Sequence, residues 1–289
     1  MTKIIKDLKL SAILYFLFIF SIYGQKVQLS SSIEDTTIIE SIIRKYKDDI
    51  AIPAGDLLVK IAGTFIDAPY VGSTLEIYKE ERLIINLREL DCTTFAENCL
   101  ALMRTIKKSD PKVQEFYNEL KLIRYRNGKI DGYPSRLHYF SDWIYDNQKK
   151  KIVQDITGSF RANEFNPKVF FMSKNPEKYP MFKGHPEFIK KMSKIEKKIS
   201  SRKLKYIPKD KIAENEQYIQ NGDIIGITTN IEGMDIMHVV IAVKQEKETH
   251  IIHASLQHHK VLISDETLAD YVNSKKAATG IIVVRPVSE

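Results

Sequence analysis

Asn221 divides the chain into two kinds of apolar pattern, and that division constrains the fold more than any other feature. Before it, apolar residues recur at helical spacing from Ile33 to Lys47, where Thr36 or Asp35 can cap, through LLVKIAG, and from Leu87 to Ile106. A short strand is expected at Leu83–Leu87 before the last of these. After Asn221, alternating or continuous apolar runs predict strands at Asp223–Thr228, His238–Lys244, Thr249–Ser255, Val261–Asp265 and Gly280–Pro286, with a short helix at Thr267–Asn273. Helices followed by closely linked strands make an α+β fold: helices packed on a mostly antiparallel sheet or partly closed barrel.

The chain opens with Lys3, Lys6 and Lys9, an apolar run from Leu10 to Ile22, and Gly24 before Gln25. This is the layout of a secretory signal peptide over residues 1–24. The apolar run is shorter than the roughly 20 residues that span a bilayer, so no stable membrane anchor is expected after cleavage. An exported protein of the periplasm or cell envelope is expected, with residues 25–289 as one domain carrying an insertion at about 107–210. Removing Lys3, Lys6, Lys9 and Asp7 takes the formal charge from +7 to +5, a mild excess. No basic stripe interleaved with aromatics marks a nucleic-acid binder, and no nucleotide-binding glycine loop occurs.

Asp91 can cap the helix that Cys92 begins, with Leu90 and Phe95 stapling its entry. At that first position the free N–H groups and the helix dipole favour thiolate, the nucleophilic form. Cys92 shares a helical face with Phe95, Cys99, Met103 and Ile106, which turns the thiol inward. A small buried cysteine starting an ordinary helix is the alternative. Seven residues of helix separate Cys92 from Cys99 by about 10 Å, too far for a disulfide, so both thiols are expected to be free.

If the strand from His238 turns back through a short loop centred on Gln245-Glu246, Val243 faces Glu248 and His238 faces His253, with Cα atoms about 5 Å apart. His238, Val240 and Ala242 then share a face with Ile251 and His253. The central helix laid over that face brings Cys92 to one imidazole, which the other orients, as in a cysteine hydrolase. Either histidine is alternatively an ordinary polar strand residue. Metal binding by His250, His253, His258 and His259 is disfavoured, since no tight ligand spacing occurs and strand alternation separates His250 from His253.

Within the insertion, Arg136, His138, Asp142 and the sole tryptophan, Trp143, crowd together. An arginine among aromatics suits a groove that holds a carboxylate against a sugar or peptide; a buried Arg–Asp pair beside a core Trp is the other reading. MSKNPEKYP reads as a loop, and the lysine-rich KKMSKIEKKISSRKLK as a solvated helix or, less favoured, a polyanion contact.

Pro69-Tyr70-Val71-Gly72, Asp91-Cys92-Thr93, Asn221-Gly222-Asp223-Ile224-Ile225, His238-Val239-Val240-Ile241 and Ile252-His253-Ala254-Ser255 resemble, in order, the motifs of the NlpC-type papain-like cell-wall peptidases. LDCTTFAENCLAL, SRLHYFSDWI, MSKNPEKYP and TGIIVVRP resemble its amidase-like branch, catalogued as domain of unknown function 1460. The resemblance implies Cys92 as nucleophile, His238 as base and His253 as orienting residue. It places Tyr70, Asp91, Thr93 and Ser255 at the substrate site, with no metal or organic cofactor.

It also implies an N-acetylmuramoyl-L-alanine amidase acting on peptidoglycan or muropeptides, cutting between the muramyl lactyl group and L-alanine. The alternatives are a γ-D-glutamyl-diamino acid endopeptidase and a non-catalytic wall-binding module. Gly72 without a Trp-Gly-Gly continuation, and Thr93 in place of serine, depart from the common superfamily pattern and weigh against the usual endopeptidase specificity.

Overall fold

The computed structural model describes residues 29–287; the expected leader lies outside the described residues. Its helices are α1 (Ile33–Tyr46), α2 (Ala54–Gly63), α3 (Cys92–Ile106), α4 (Val113–Arg124), α5 (Phe140–Lys149), α6 (Phe171–Lys174), α7 (Pro186–Ser200), α8 (Ile212–Asn215) and α9 (Leu268–Ser274). Among them none is long and apolar enough to cross a membrane. Strands β1 (Leu29–Ser30) and β2 (Leu83–Ile84) form a small parallel pair.

The main sheet comprises β3 (Val153–Asp155), β4 (Asn163–Phe165), β5 (Leu204–Pro208), β6 (Ile224–Thr229), β7 (Ile236–Gln245), β8 (Glu248–Ser255), β9 (Lys260–Ile263) and β10 (Ala278–Pro286). Its order is β4-β5-β10-β6-β7-β8-β9, with β3 also on β10, and every pairing is antiparallel. The sheet stays open, with no closed barrel among the described residues. Residues 107–210 are not an outlying lobe, because β3 and β5 both hydrogen-bond to β10.

Both faces of the sheet are covered, which is why β6 is buried along its whole length. Strand alternation divides the core in two. Val239, Ile241, Ile252 and Ile282 pack with α1 to α4, whereas Val240, Ala242, Ile251 and Ile281 pack with Leu268, Ala269 and Val272 of α9. This corrects the expected layering: Val240, Ala242 and Ile251, which share the face of His238 and His253, lie under α9, and α3 covers the opposite face.

Helix α3 is buried on all sides from Thr94 to Ile106. Its polar residues survive there by pairing: Glu97 with Arg124 at 2.6 Å, Arg104 with Glu119 at 2.7 Å, and Asn98 Nδ2 donating to the Asn86 carbonyl at 3.0 Å. Helix α1 is capped by Ser32, not by Thr36 or Asp35; Asp35 is instead buried, accepting the Leu87 N–H and pairing with Arg88.

The Asn221-Gly222-Asp223 turn clamps α2 to the sheet. Gly222 has φ +75°, and a Cβ on Gly55 would lie 1.9 Å from the Asn221 carbonyl oxygen, so the two backbones meet only as glycines. Asn221 Nδ2 donates to Asp56, its Oδ1 accepts the Lys244 N–H, and Asp223 holds Arg285 at 2.8 Å.

Candidate active site

Asp91 has extended backbone and its Oδ1 accepts the N–H groups of Thr93 at 3.0 Å and Thr94 at 2.7 Å; the Thr94 hydroxyl accepts from the Asp91 N–H in return. This capping box starts α3 at Cys92. Leu90 is tied to the Pro69-Tyr70-Val71 segment by two hydrogen bonds, and the Tyr70 N–H donates to the His259 carbonyl. Tyr70 is thereby fixed beside the helix start, where burial, then Cys92 and Asp91, push its phenol up to about 12.

Cys92 is half-buried and Cys99 buried, and both are free. Burial and then the Asp91 carboxylate push the Cys92 thiol up to about 11, outweighing hydrogen bonds from the Val239 amide and the Thr93 hydroxyl. The expected thiolate preference of the helix start is therefore overcome: desolvation costs the charged form more than the first turn returns.

The β7–β8 hairpin turns through Glu246-Lys247, pairing Gln245 with Glu248 and Ile241 with Ile252. The expected register, with Val243 opposite Glu248, is off by two residues. An even offset leaves His238 and His253 on one face as diagonal neighbours, and their rings bridge the gap. His238 Nε2 and His253 Nδ1 lie 2.7 Å apart. Burial holds both imidazoles well below the ordinary range, His238 to about 4 and His253 to about 3, with the Lys275 cation adding to each. His250 faces elsewhere, its Nδ1 3.0 Å from the Ser264 carbonyl.

A cavity of about 240 Å³ has Cys92, Thr93, His138, Trp143, Asp235 and His238 in its wall. His138 Nε2 donates to the Tyr133 carbonyl at 2.9 Å, and burial with the nearby Arg136 cation drives its pKa down to about 3, so the ring is neutral. Trp143 stacks on Phe140 at 5.1 Å, and Phe140 fits against the sheet only because residue 226 is glycine, where a Cβ would come within 2.5 Å of the ring.

The other residues singled out lie off the cavity. Arg136 is buried and bound to Glu76 at 3.1 Å and Glu81 at 3.0 Å. Asp142 points away on α5 to Arg126 and Arg202. Asp91 is occupied as the cap, and Ser255 is buried with its Oγ accepting the His258 N–H. The structure therefore brings Cys92, Thr93, His138, Trp143 and His238 to one cavity, sets Tyr70 and His253 beside it, and keeps Arg136 and Asp142 apart from it.

Three neighbours carried no sequence signal. Asp235 sits in the cavity wall with Oδ2 accepting the Ser141 N–H at 2.7 Å. Tyr271 of α9 stands edge-on to His253 at 5.2 Å and tilted to His238 at 6.3 Å, and the Lys275 ammonium lies 4.5 Å over its ring.

Residues 60–281 match the family described as N-acetylmuramoyl-L-alanine amidase-like. Among solved structures, an N-acetylmuramoyl-L-alanine amidase from Bacteroides uniformis is 37% identical, with TM-score 0.78 over 81% of this chain and 99% of that one. A Bacteroides fragilis protein provisionally named a xylanase is 39% identical, with TM-score 0.75 over 78% of this chain and 99% of that one. A Legionella pneumophila protein of the domain of unknown function 1460, 24% identical, shares the fold with TM-score 0.62 over 88% of this chain and 99% of that one. The comparison with curated proteins gives no match. With the family pattern running from α2 to β10, and so through the helix start and both histidines, the chain belongs to the N-acetylmuramoyl-L-alanine amidase-like family.

Proposed function

We propose that this protein is a cysteine hydrolase of the NlpC-type papain-like kind that cuts the lactyl-L-alanine amide of peptidoglycan or its muropeptides. The observation that carries the reading is the 2.7 Å His238–His253 contact, with His238 sharing a cavity wall with Cys92 at the first turn of α3.

The resting pair in this reading is neutral, because burial opposes both thiolate and imidazolium. With His238 Nε2–H donating to His253 Nδ1, the Nδ1 of His238 is the free base. It takes the Cys92 proton as Sγ attacks the lactyl carbonyl carbon. The Cys92 backbone N–H and Tyr70 face the oxyanion. The imidazolium then protonates the departing nitrogen of L-alanine, leaving a thioester. Water, deprotonated by His238, breaks the thioester and frees the muramyl carboxylate and the thiol. His138 and Trp143 supply a flat, weakly polar wall for the sugar side of the substrate.

The xylanase name of one neighbour finds no support in the cavity. Glycosidic cleavage ordinarily needs two carboxyl groups facing one bond, and Asp235, the one carboxylate among the described lining residues, is committed to the Ser141 and Ile236 N–H groups. Export through the expected leader puts the reaction in the cell envelope.

Mass spectrometry of defined muropeptides incubated with the native protein and with Cys92→Ser tests the reading. Release of a free stem peptide beginning at L-alanine, by the native protein only, is expected. A fragment beginning at the diamino acid refutes the bond assignment in favour of the γ-D-glutamyl endopeptidase. No cleavage by either protein refutes the enzyme reading and leaves a wall-binding module.

A further inference from the structure

Lys275 is a half-buried cation beside the histidine pair that makes no ion pair among the described residues. Its ammonium lies over the Tyr271 ring, and its one hydrogen bond is a long one, 3.4 Å to the Gln257 side-chain oxygen. The acids of the same segment, Asp265, Glu266 and Asp270, are all exposed, and none of them forms an ion pair with it. Elsewhere the half-buried and buried cations Lys108, Arg104, Arg124, Arg136 and Lys150 hold carboxylates, and half-buried Lys107 and Lys244 are satisfied by backbone carbonyls, whereas the Lys275 ammonium has neither. A cation left without one next to buried imidazoles disfavours their protonated forms, and it is retained most simply if a ligand supplies the anion.

We propose that Lys275, carried on the Tyr271 ring, is a subsite for a carboxylate of the substrate, next to the Cys92 and His238 centre. The proposal rests on the reading of that centre given above. Its ligand class follows from the chemistry of a stem peptide: a D-glutamate joined through its side chain keeps a free α-carboxylate, one residue past L-alanine. The ammonium is no further from the His238 ring than its 4.5 Å to Tyr271 and the 6.3 Å from Tyr271 to His238 laid end to end, and the two Cα steps of about 3.8 Å from the lactyl carbon to D-glutamate fall within that bound. A charge-assisted bond at that distance registers the peptide so that the lactyl carbonyl meets the thiol. Tyr271 acts as a positioning residue, holding both the imidazole pair and the cation.

The test compares two muropeptides that differ only at this group, one with the free D-glutamate α-carboxylate and one with it amidated. Native protein is expected to show kcat/KM at least 10-fold higher for the acid. Lys275→Gln is expected to lose that preference, read as the acid-to-amide ratio within each protein, and Lys275→Arg to restore most of it. Binding of both muropeptides to Cys92→Ser, with and without Lys275→Gln, is measured by calorimetry and reads the same preference without turnover. If the native protein cuts neither peptide, the hydrolase reading fails, and the calorimetry still decides the subsite. Equal affinities for acid and amide in Cys92→Ser, or an equal loss for both on Lys275→Gln, overturn the proposal.

Discussion

The neutral resting state proposed for Cys92 has a direct chemical test, alkylation by iodoacetamide across pH. With the thiol pushed up to about 11, roughly one molecule in ten thousand is thiolate at pH 7, against a few per cent for an ordinary cysteine near 8.5. The scarcity is partly offset because a more basic thiolate is intrinsically more nucleophilic, by about 0.4–0.5 decade per pKa unit. The expected net rate at pH 7 is about 20- to 30-fold below that of a free cysteine, rising nearly tenfold per pH unit to about pH 10.

Intact-mass spectrometry counts the label. Cys99 is fully buried and its thiol lies well above the usual range, so Cys92→Ser supplies the blank. His238→Ala is expected to leave the curve in place, since a neutral imidazole contributes no charge to the thiol. A rate that reaches its plateau below pH 8, and loses that plateau in His238→Ala, would refute the reasoning by showing a preformed thiolate–imidazolium pair.

Three further outcomes are expected. His253→Ala should lower kcat on muropeptides by on the order of 10²- to 10⁴-fold with KM little changed, because His253 is buried beside His238 and off the cavity wall; near-native turnover would remove it from the mechanism. Arg136→Ala should cost about 3–5 kcal/mol in denaturant unfolding by stranding Glu76 and Glu81, and a change under 1 kcal/mol would show that the pair carries no structural weight.

Acid should weaken the fold through its histidines. His138, His238 and His253 take protons near pH 6.5 only when unfolded, so the stability they lend above that pH drains away as pH falls toward their folded values of about 3 to 4. Glu81, Glu97 and Asp235, pushed up by burial, act in the opposite sense, so the readout is a difference. The fall in melting temperature from pH 7 to pH 4 should be smaller in His253→Asn than in the native protein, and an equal fall would discount the histidine contribution.

What could be read from the chain alone was what neighbours in sequence decide. The start of α3 follows from Asp91 as cap with Leu90 and Phe95 on either side of the first turn, and the strands from apolar runs, because capping and pleating act within a few residues. The face shared by the two histidines also survived a register error, since strand alternation has period two and the error was even.

Tertiary structure decided the rest, through contacts between distant segments. Arg136 looked equipped for a ligand until Glu76 and Glu81, more than fifty residues upstream, folded onto it. The layer covering His238 and His253 proved to be α9, which sets Tyr271 and Lys275 beside them. The state of Cys92 turned on the desolvation of its whole surroundings, a quantity that belongs to the packed molecule and to no segment of it.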